Sequence, residues 1–362
     1  MKKSLIALAV LATSGAAMAQ SSVTLFGVVD AGPTYVNGAQ NKTSLNSGGQ
    51  LTSRFGLRGT EDLGGGLKAN FWLESGLNLD TGDGASSYAG AKPGDGLAFK
   101  RRSTVGLEGG FGEVRLGREL TAAFNAVARY DVFGSVGLAQ SRLWADGGVV
   151  DANANAGAVT TNQRVSNAIT YVSPNFAGFK AGINYGFGEV AGKNSNSRYI
   201  GVGATYDNGP ISVGGGYETL KQGANSSVNG DINAWSLGGS YDFSVVKVLA
   251  GYRSSKSEHF GGGLNGDNKR NGYMLALTAP VGPGLVKAAY NRYENKLNGT
   301  TTKADQFGLG YVYSMSKRTS VYGTYAYLKN KDGQVLYTLD SAAGVKSNGK
   351  SQGFQVGITH TF

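Results

Sequence analysis

The feature that most constrains this chain is a period-two alternation of apolar with small or polar residues, repeated in segments of about ten residues. Near the C-terminus Phe354, Val356, Ile358 and Phe362 share one parity, and Gln355, Gly357, Thr359 and Thr361 the other. Phe307, Leu309, Tyr311 and Tyr313 alternate with Gly308, Gly310, Val312 and Ser314 in the same way. Trp235, Leu237, Tyr241 and Phe243 alternate with Ser236, Gly238, Ser240 and Asp242, while Val246, Val248, Ala250 and Tyr252 face away from Lys247, Gly251 and Arg253. An amphipathic helix would repeat every three or four residues. These segments therefore specify strands with one oily and one polar face. A barrel with a wet interior is apolar only at alternate positions. A slightly negative mean hydropathy is therefore compatible with strands that cross lipid.

The first residues are set apart from the fold. Lys2 and Lys3 precede the apolar stretch from Leu5 to Ala12, and Ala17-Met18-Ala19 stands before Gln20. This three-part pattern is that of an export leader spanning residues 1–19, which leaves residues 20–362 as one domain. Cysteine is absent, which excludes disulfides, thiolate metal sites and thiol catalysis. The 6 prolines are few against 59 glycines and 19 tyrosines, as expected where nearly every backbone N–H joins a ladder. Glycine is here read as serving bends in a closed sheet.

Candidate strands start near residues 22, 50, 67, 98, 113, 164, 179, 197, 211, 232, 245, 271, 285, 304, 319 and 351. An even number of strands brings both chain ends to one rim. Short turn-rich links recur at Glu61–Gly66, Gly109–Gly112, Asp207–Pro210, Phe243–Val245, Pro280–Gly284 and Ser314–Arg318. Between them lie longer polar loops, among them Asn37–Gly49, Asp80–Gly96 and Asn330–Lys350. Short turns on one rim and long loops on the other describe an all-β, 16-stranded antiparallel transmembrane β-barrel. The stretch Glu119–Gln163 breaks the rhythm, and its first half, to about Leu138, is expected to fold into the interior.

Several motifs resemble one family over the whole exported chain. They include Ser22–Asp30 (SVTLFGVVD), Ser53–Ala69 (SRFGLRGTEDLGGGLKA), Phe71-Trp-Leu-Glu74, Phe99–Leu107 (FKRRSTVGL) and Phe111–Arg118 (FGEVRLGR). Tyr130-Asp131, Tyr171–Phe176, Tyr206–Pro210, Ser316–Thr319 and the terminal Phe362 extend the match. The chain resembles the trimeric Gram-negative porins, in particular the anion-selective general porins of betaproteobacteria. The resemblance implies a homotrimer in the outer membrane, among lipid and lipopolysaccharide, with a third loop folded into each pore. It places a basic wall on Arg54, Arg101 and Arg164, an acidic loop-side residue on Asp131, and the signal for barrel assembly on Phe362. Between Leu120 and Ala128 the chain departs from the family pattern.

Alternation supports two of the three arginines independently. Phe55 and Leu57 point one way, so Arg54 and Arg58 point the other; Ile169 and Tyr171 lie on the parity opposite to Arg164. Arg101 shares parity with Val105 and Leu107, with Lys100 and Arg102 opposite, so a bulge or a buried outer face is needed to bring it to the pore. Arginine suits such a wall because it stays charged and offers several donors to carboxylate or phosphate. The expected transported species are small anions and hydrophilic solutes, or, as an alternative, a dedicated organic acid or phosphate. An outer-membrane enzyme would want a histidine base, and only His259 and His360 occur, neither with a convincing partner. A soluble β-sheet binding protein would have to bury the aromatic faces against a second sheet. No cofactor, metal or nucleic acid is expected.

Overall fold

The computed structural model describes residues 22–85, 96–144, 163–221, 231–257, 267–333 and 335–362. The leader expected at 1–19 and His259 lie outside the described residues. The strands are β1 (Ser22–Asn37), β2 (Asn41–Ser47), β3 (Arg54–Gly64), β4 (Leu67–Leu77), β5 (Gly84–Ala85), β6 (Arg102–Gly109) and β7 (Gly112–Leu120). After helix α1 (Ala122–Val127) come β8 (Arg164–Val172), β9 (Phe179–Gly186), β10 (Tyr199–Asn208), β11 (Ile211–Leu220), β12 (Ile232–Asp242) and β13 (Lys247–Ser257). The sheet is completed by β14 (Asn268–Val281), β15 (Gly284–Leu297), β16 (Thr300–Ser314), β17 (Thr319–Asn330) and β18 (Lys350–Thr361).

All pairings are antiparallel, and β1 pairs with β18, so the sheet closes on itself. Of the 18 strands, β2 stacks above β3 along the same flank of β1, and β5 extends β6 along β4. Those two pieces complete columns, and the wall is a closed 16-stranded barrel. At the seam the Gly27 N–H donates to the Phe362 carbonyl at 3.0 Å and the Phe362 N–H returns the bond at 3.1 Å. Closure leaves no unpaired edge, the condition for placing a sheet in lipid.

Burial is inverted relative to a water-soluble protein. Asn291 is 0% exposed and Leu275 58%. Asp30, Asn184, Gln306 and Gln355 are also buried inside, whereas Leu25, Val105, Leu237 and Ile358 stand out from the wall. No helix among the described residues is long and apolar enough to cross a membrane, so the strands do the crossing. On the long-loop side of the outer face runs an aromatic belt. Tyr217 lies opposite Trp235, Tyr252 opposite Tyr273, Tyr290 opposite Phe307, and Phe354 opposite both Tyr325 and Tyr35. Their hydroxyls reach polar groups, as Tyr252 to Asn271 and Tyr290 to Asp305, which is how amphipathic rings sit at a lipid–water boundary.

β2 lies within the expected loop Asn37–Gly49, β3 and β6 begin about four residues later than expected, and β14 and β16 begin earlier. The strand expected near 271 begins at Asn268 and the one expected near 304 at Thr300. Their loop-side ends carry lysines and threonines outward, above the oily band, so the apolar alternation gives no sign of them. β15 and β16 are joined by Asn298 and Gly299, with φ of 48° and 80°. Positive φ at both positions is the tight hairpin turn that Asn-Gly favours.

Candidate functional site

The polar residues of β3, β4 and β6 that face inward converge on one carboxylate. Glu74 Oε1 accepts from Arg101 Nε at 2.5 Å and lies 3.7 Å from Arg54 Nε. The Glu74 carbonyl also accepts the Arg101 N–H at 3.1 Å, and the Arg101 carbonyl accepts from Arg164 Nε at 3.0 Å. The structure thus brings Arg54, Arg101 and Arg164 together. Among the described residues Glu74 is the carboxylate on which Arg54 and Arg101 meet, and Arg164 joins through the Arg101 carbonyl, so the cluster carries excess positive charge. Arg115 makes the contrast: Glu113 and Glu119 hold it at 2.8 Å each, two carboxylates on one guanidinium, which leaves that unit with a net negative charge.

The conflict over Arg101 is resolved by where β6 begins. Its first residue is Arg102, which keeps the inward parity of Thr104 and Gly106, and Arg101 stands just before the strand where alternation has no hold. Both arginines serve the interior. The parity argument for Arg164, by contrast, does not reach that residue. Asn167 has φ 53°, and the pairing steps from Gly117–Ala168 to Glu119–Val165, a bulge that inverts the alternation beyond Ile169. Arg164 joins the cluster through the Arg101 carbonyl instead.

Trp72 and Glu74, which sequence reasoning passed over as site residues, complete the wall with Arg58 and Arg102. Trp72 Nε1 donates to Glu74 Oε2 at 3.1 Å. The Trp72 ring receives the guanidiniums of Arg102 at 4.6 Å and Arg58 at 5.2 Å, and Arg58 also stacks on Phe26. Cation–π contact holds these side chains without cancelling their charge. Glu74 and Trp72 alternate with Leu73 and Phe71, and that parity was the signal available for them.

The segment from Thr121 to Trp144 is bound to side chains of β9, β11, β15, β16 and β18. Thr121 Oγ1 caps α1 by accepting from the Phe124 N–H, and the Ala122 N–H donates to Asn184 of β9. Polar side chains of the inner wall hold the rest: Ser212 at the Tyr130 hydroxyl, Asn291 at Ser141, Tyr293 at the Arg142 N–H, Gln306 at the Gln140 carbonyl and Gln355 at the Leu138 N–H. The segment's large side chains rest on wall glycines. A Cβ at Gly238 would sit 2.2 Å from Tyr130 Cδ2, and one at Gly251 would sit 2.5 Å from Trp144. These glycines give close approach to a second layer rather than the bends expected from composition.

Asp131 is placed differently from its expected role. Its carboxylate is 6% exposed and accepts from the N–H groups of Phe133 and Ser135 at 2.9 Å and of Ser141 at 3.0 Å. Burial pushes its carboxyl above the usual range, opposed by those donors, which favour the anion. Asp131 ties the segment to itself. No group of carboxylates and histidines among the described residues is arranged to hold a metal.

A sequence model of Gram-negative porins matches residues 4–333. The chain belongs to the Gram-negative porin family. It is 45% identical to outer membrane porin protein 32 of Delftia acidovorans, over 100% of both chains. It is 34% identical to an outer membrane porin protein of Bordetella pertussis, again over 100% of both. Among solved structures, the anion-selective porin from Comamonas acidovorans superposes with a TM-score of 0.79 at 41% identity, covering 95% of this chain and 100% of that one. The porin is thus an outer-membrane channel protein with a multi-pass β-barrel. The readings of an outer-membrane enzyme and of a soluble binding protein fall away with that membership.

Proposed function

We propose that the porin is a general-diffusion channel for small hydrophilic solutes that prefers anions, working as a homotrimer. The observation that carries this reading is the cluster of Arg54, Arg101 and Arg164 around the one carboxylate of Glu74. The segment from Thr121 to Trp144 is read as the third loop, folded into the lumen so that solutes pass between it and the arginines. Its contacts with Gly238, Gly251 and the inner-wall polar side chains support that placement. Asp131 serves the loop side of the constriction by fixing the loop's shape, its charge turned into the loop's own N–H groups. Electrical recording in a salt gradient tests the anion preference: a reversal potential on the K⁺ side would end it.

Arg58 and Arg102 favour a second reading, a channel dedicated to organic acids or phosphate. Neither has a carboxylate within salt-bridge distance among the described residues, and both flank the recess of about 370 Å³ at Trp72. Block of the chloride current by millimolar phosphate or dicarboxylate would support it, and unaltered current would remove it.

The trimer is supported by the outer face of β3, β4, β6 and β7. These strands contain no tyrosine, and their one tryptophan, Trp72, points inward. A face without interfacial anchors suits protein contact rather than headgroups. Phe362 is read as the assembly signal, at the seam where its ring covers Gly27. Residues 1–19 are read as a leader, which an N-terminal Gln20 on the exported protein would establish. Lipid and lipopolysaccharide are the surrounding partners.

A further inference from the structure

We propose that a recess on the long-loop side of the lumen, beside the seam of the barrel, binds an uncharged polyhydroxylated solute of mono- to disaccharide size. The recess has a volume of about 550 Å³, within the roughly 300–1,000 Å³ of small-molecule sites. It lies between the inner face of β1 and β2, the stretch from Asn78 to Gly84, the segment around Gln140 and the loop around Asp340. The proposal rests on the channel reading only in that solutes must reach the lumen, and the site is separate from the arginine cluster.

The walls of the recess are tied to one another by the fold. Lys42 Nζ of β2 meets Asp340 Oδ2 at 2.7 Å, and the Arg142 guanidinium donates to the Thr338 carbonyl at 2.7 Å. Ser47 Oγ donates to the Leu77 carbonyl at 3.2 Å and lies 3.0 Å from Ser53 Oγ. Arg54 follows Ser53 in the chain, so the recess shares a wall with the arginine cluster. Within these walls polar groups stand unused. Thr34 is 3% exposed on the inner face of β1, lines the recess, and its hydroxyl has no hydrogen-bond partner among the described residues. Side-chain amides of Asn46 and Gln140 and the carboxylate of Asp80 likewise make no hydrogen bond or ion pair among those residues. Buried polar groups in native proteins nearly always have a partner, so an idle one marks a place where another molecule supplies it. A cavity already formed spares its ligand the cost of ordering loops.

Charge decides the class of the occupant. Asp80, Asp83 and Asp340 line the recess and oppose an anion. The excess positive charge of the adjoining arginine cluster opposes a cation. Two of the carboxylates are also engaged: Asp83 Oδ1 accepts from Asn78 Nδ2 at 2.7 Å and Thr81 Oγ1 at 2.8 Å, and Asp340 is held by Lys42. A neutral molecule satisfies both constraints. Every sugar hydroxyl donates one hydrogen bond and accepts others, so it calls for donors and acceptors side by side. Amides do both and a carboxylate accepts, a mixture that Asn46, Gln140 and Asp80 supply beside the Thr34 hydroxyl. Val36, Leu138 and Leu339 add apolar patches for the C–H faces of a sugar ring.

The test is the chloride current of the refolded porin in planar bilayers as sucrose is raised on both sides. A solute that merely thickens the solution lowers the current in proportion to bulk conductivity, whereas an occupied recess beside the arginines adds a saturating block. Asn46→Leu should raise the half-blocking concentration about tenfold, and Thr34→Val, which keeps the shape of the buried side chain, about fivefold. Without sucrose the current of both variants should equal that of the wild type, because neither residue belongs to the arginine cluster. Fully methylated sucrose, which has no hydroxyl to donate, should give no saturating block. A current that follows bulk conductivity throughout, or a half-blocking concentration unchanged in both variants, would overturn the proposal. So would relief of the sucrose block by millimolar calcium chloride that disappears in Asp80→Asn, since this assigns the recess to a cation. Wild-type protein that passes no current would count against the channel reading; sucrose binding to that protein in detergent, read by saturation-transfer NMR with the same variants, then decides the recess.

Discussion

Replacing Glu74 by Gln removes the one carboxylate that Arg54 and Arg101 share among the described residues, while keeping a side chain of the same shape at Arg101 and Trp72. If the account is right, this loss of one negative charge makes the channel more anion-selective. At about 6 Å in water a unit charge is worth about 0.7 kcal/mol. Screening at 0.1 M salt, with a Debye length of about 10 Å, reduces this to about 0.4 kcal/mol. Chloride gains that amount at the constriction and potassium loses it, so their permeability ratio should rise about fourfold. Planar-bilayer recording of the reversal potential in a KCl gradient measures the ratio directly. An unmoved potential, or one displaced towards K⁺, would show that ions do not pass within reach of this cluster.

Arg101→Glu changes two charges in the opposite sense, and the same arithmetic lowers the Cl⁻/K⁺ ratio about fifteenfold; Arg54→Glu should act alike, read by the same recording. Gly238→Leu forces a side chain into the seat of Tyr130, an overpacking that costs about 1–3 kcal/mol. Its barrel should melt earlier and its conductance should differ from wild type; identical values for both would refute the seat. Asp131→Ala leaves three N–H donors of the segment without their acceptor, and faster limited proteolysis between residues 121 and 144 should follow. Val105→Arg places a charge on the proposed subunit face, where Val105 is exposed in the single chain; unheated gels should then show monomers of intact barrel in place of trimers.

The barrel was legible because each wall strand must satisfy two solvents at once. Phe354, Val356 and Ile358 face lipid because the intervening Gln355 and Thr359 face a polar interior, and that demand writes itself into neighbouring residues. Arg54 could be placed by the same logic. Arg164 could not, since a bulge at Asn167 is a backbone event that parity counting steps over. Arg101 needed the start of β6, which depends on its pairing with β4. Glu74, Trp72 and Arg58 were within reach of parity, but their convergence depends on register between β3, β4 and β6. The glycines were visible and misread. Gly238 and Gly251 look like any small residue on the inner parity until Tyr130 and Trp144 are found over them.

The central claim is a closed wall with oil outside and an electropositive, water-filled passage within. Insertion of the purified wild-type protein into a solvent-free lipid bilayer tests it most directly. Discrete current steps should appear, with a zero-current potential displaced towards the chloride equilibrium value. A membrane that stays silent at saturating protein, or steps that reverse towards potassium, would contradict the account.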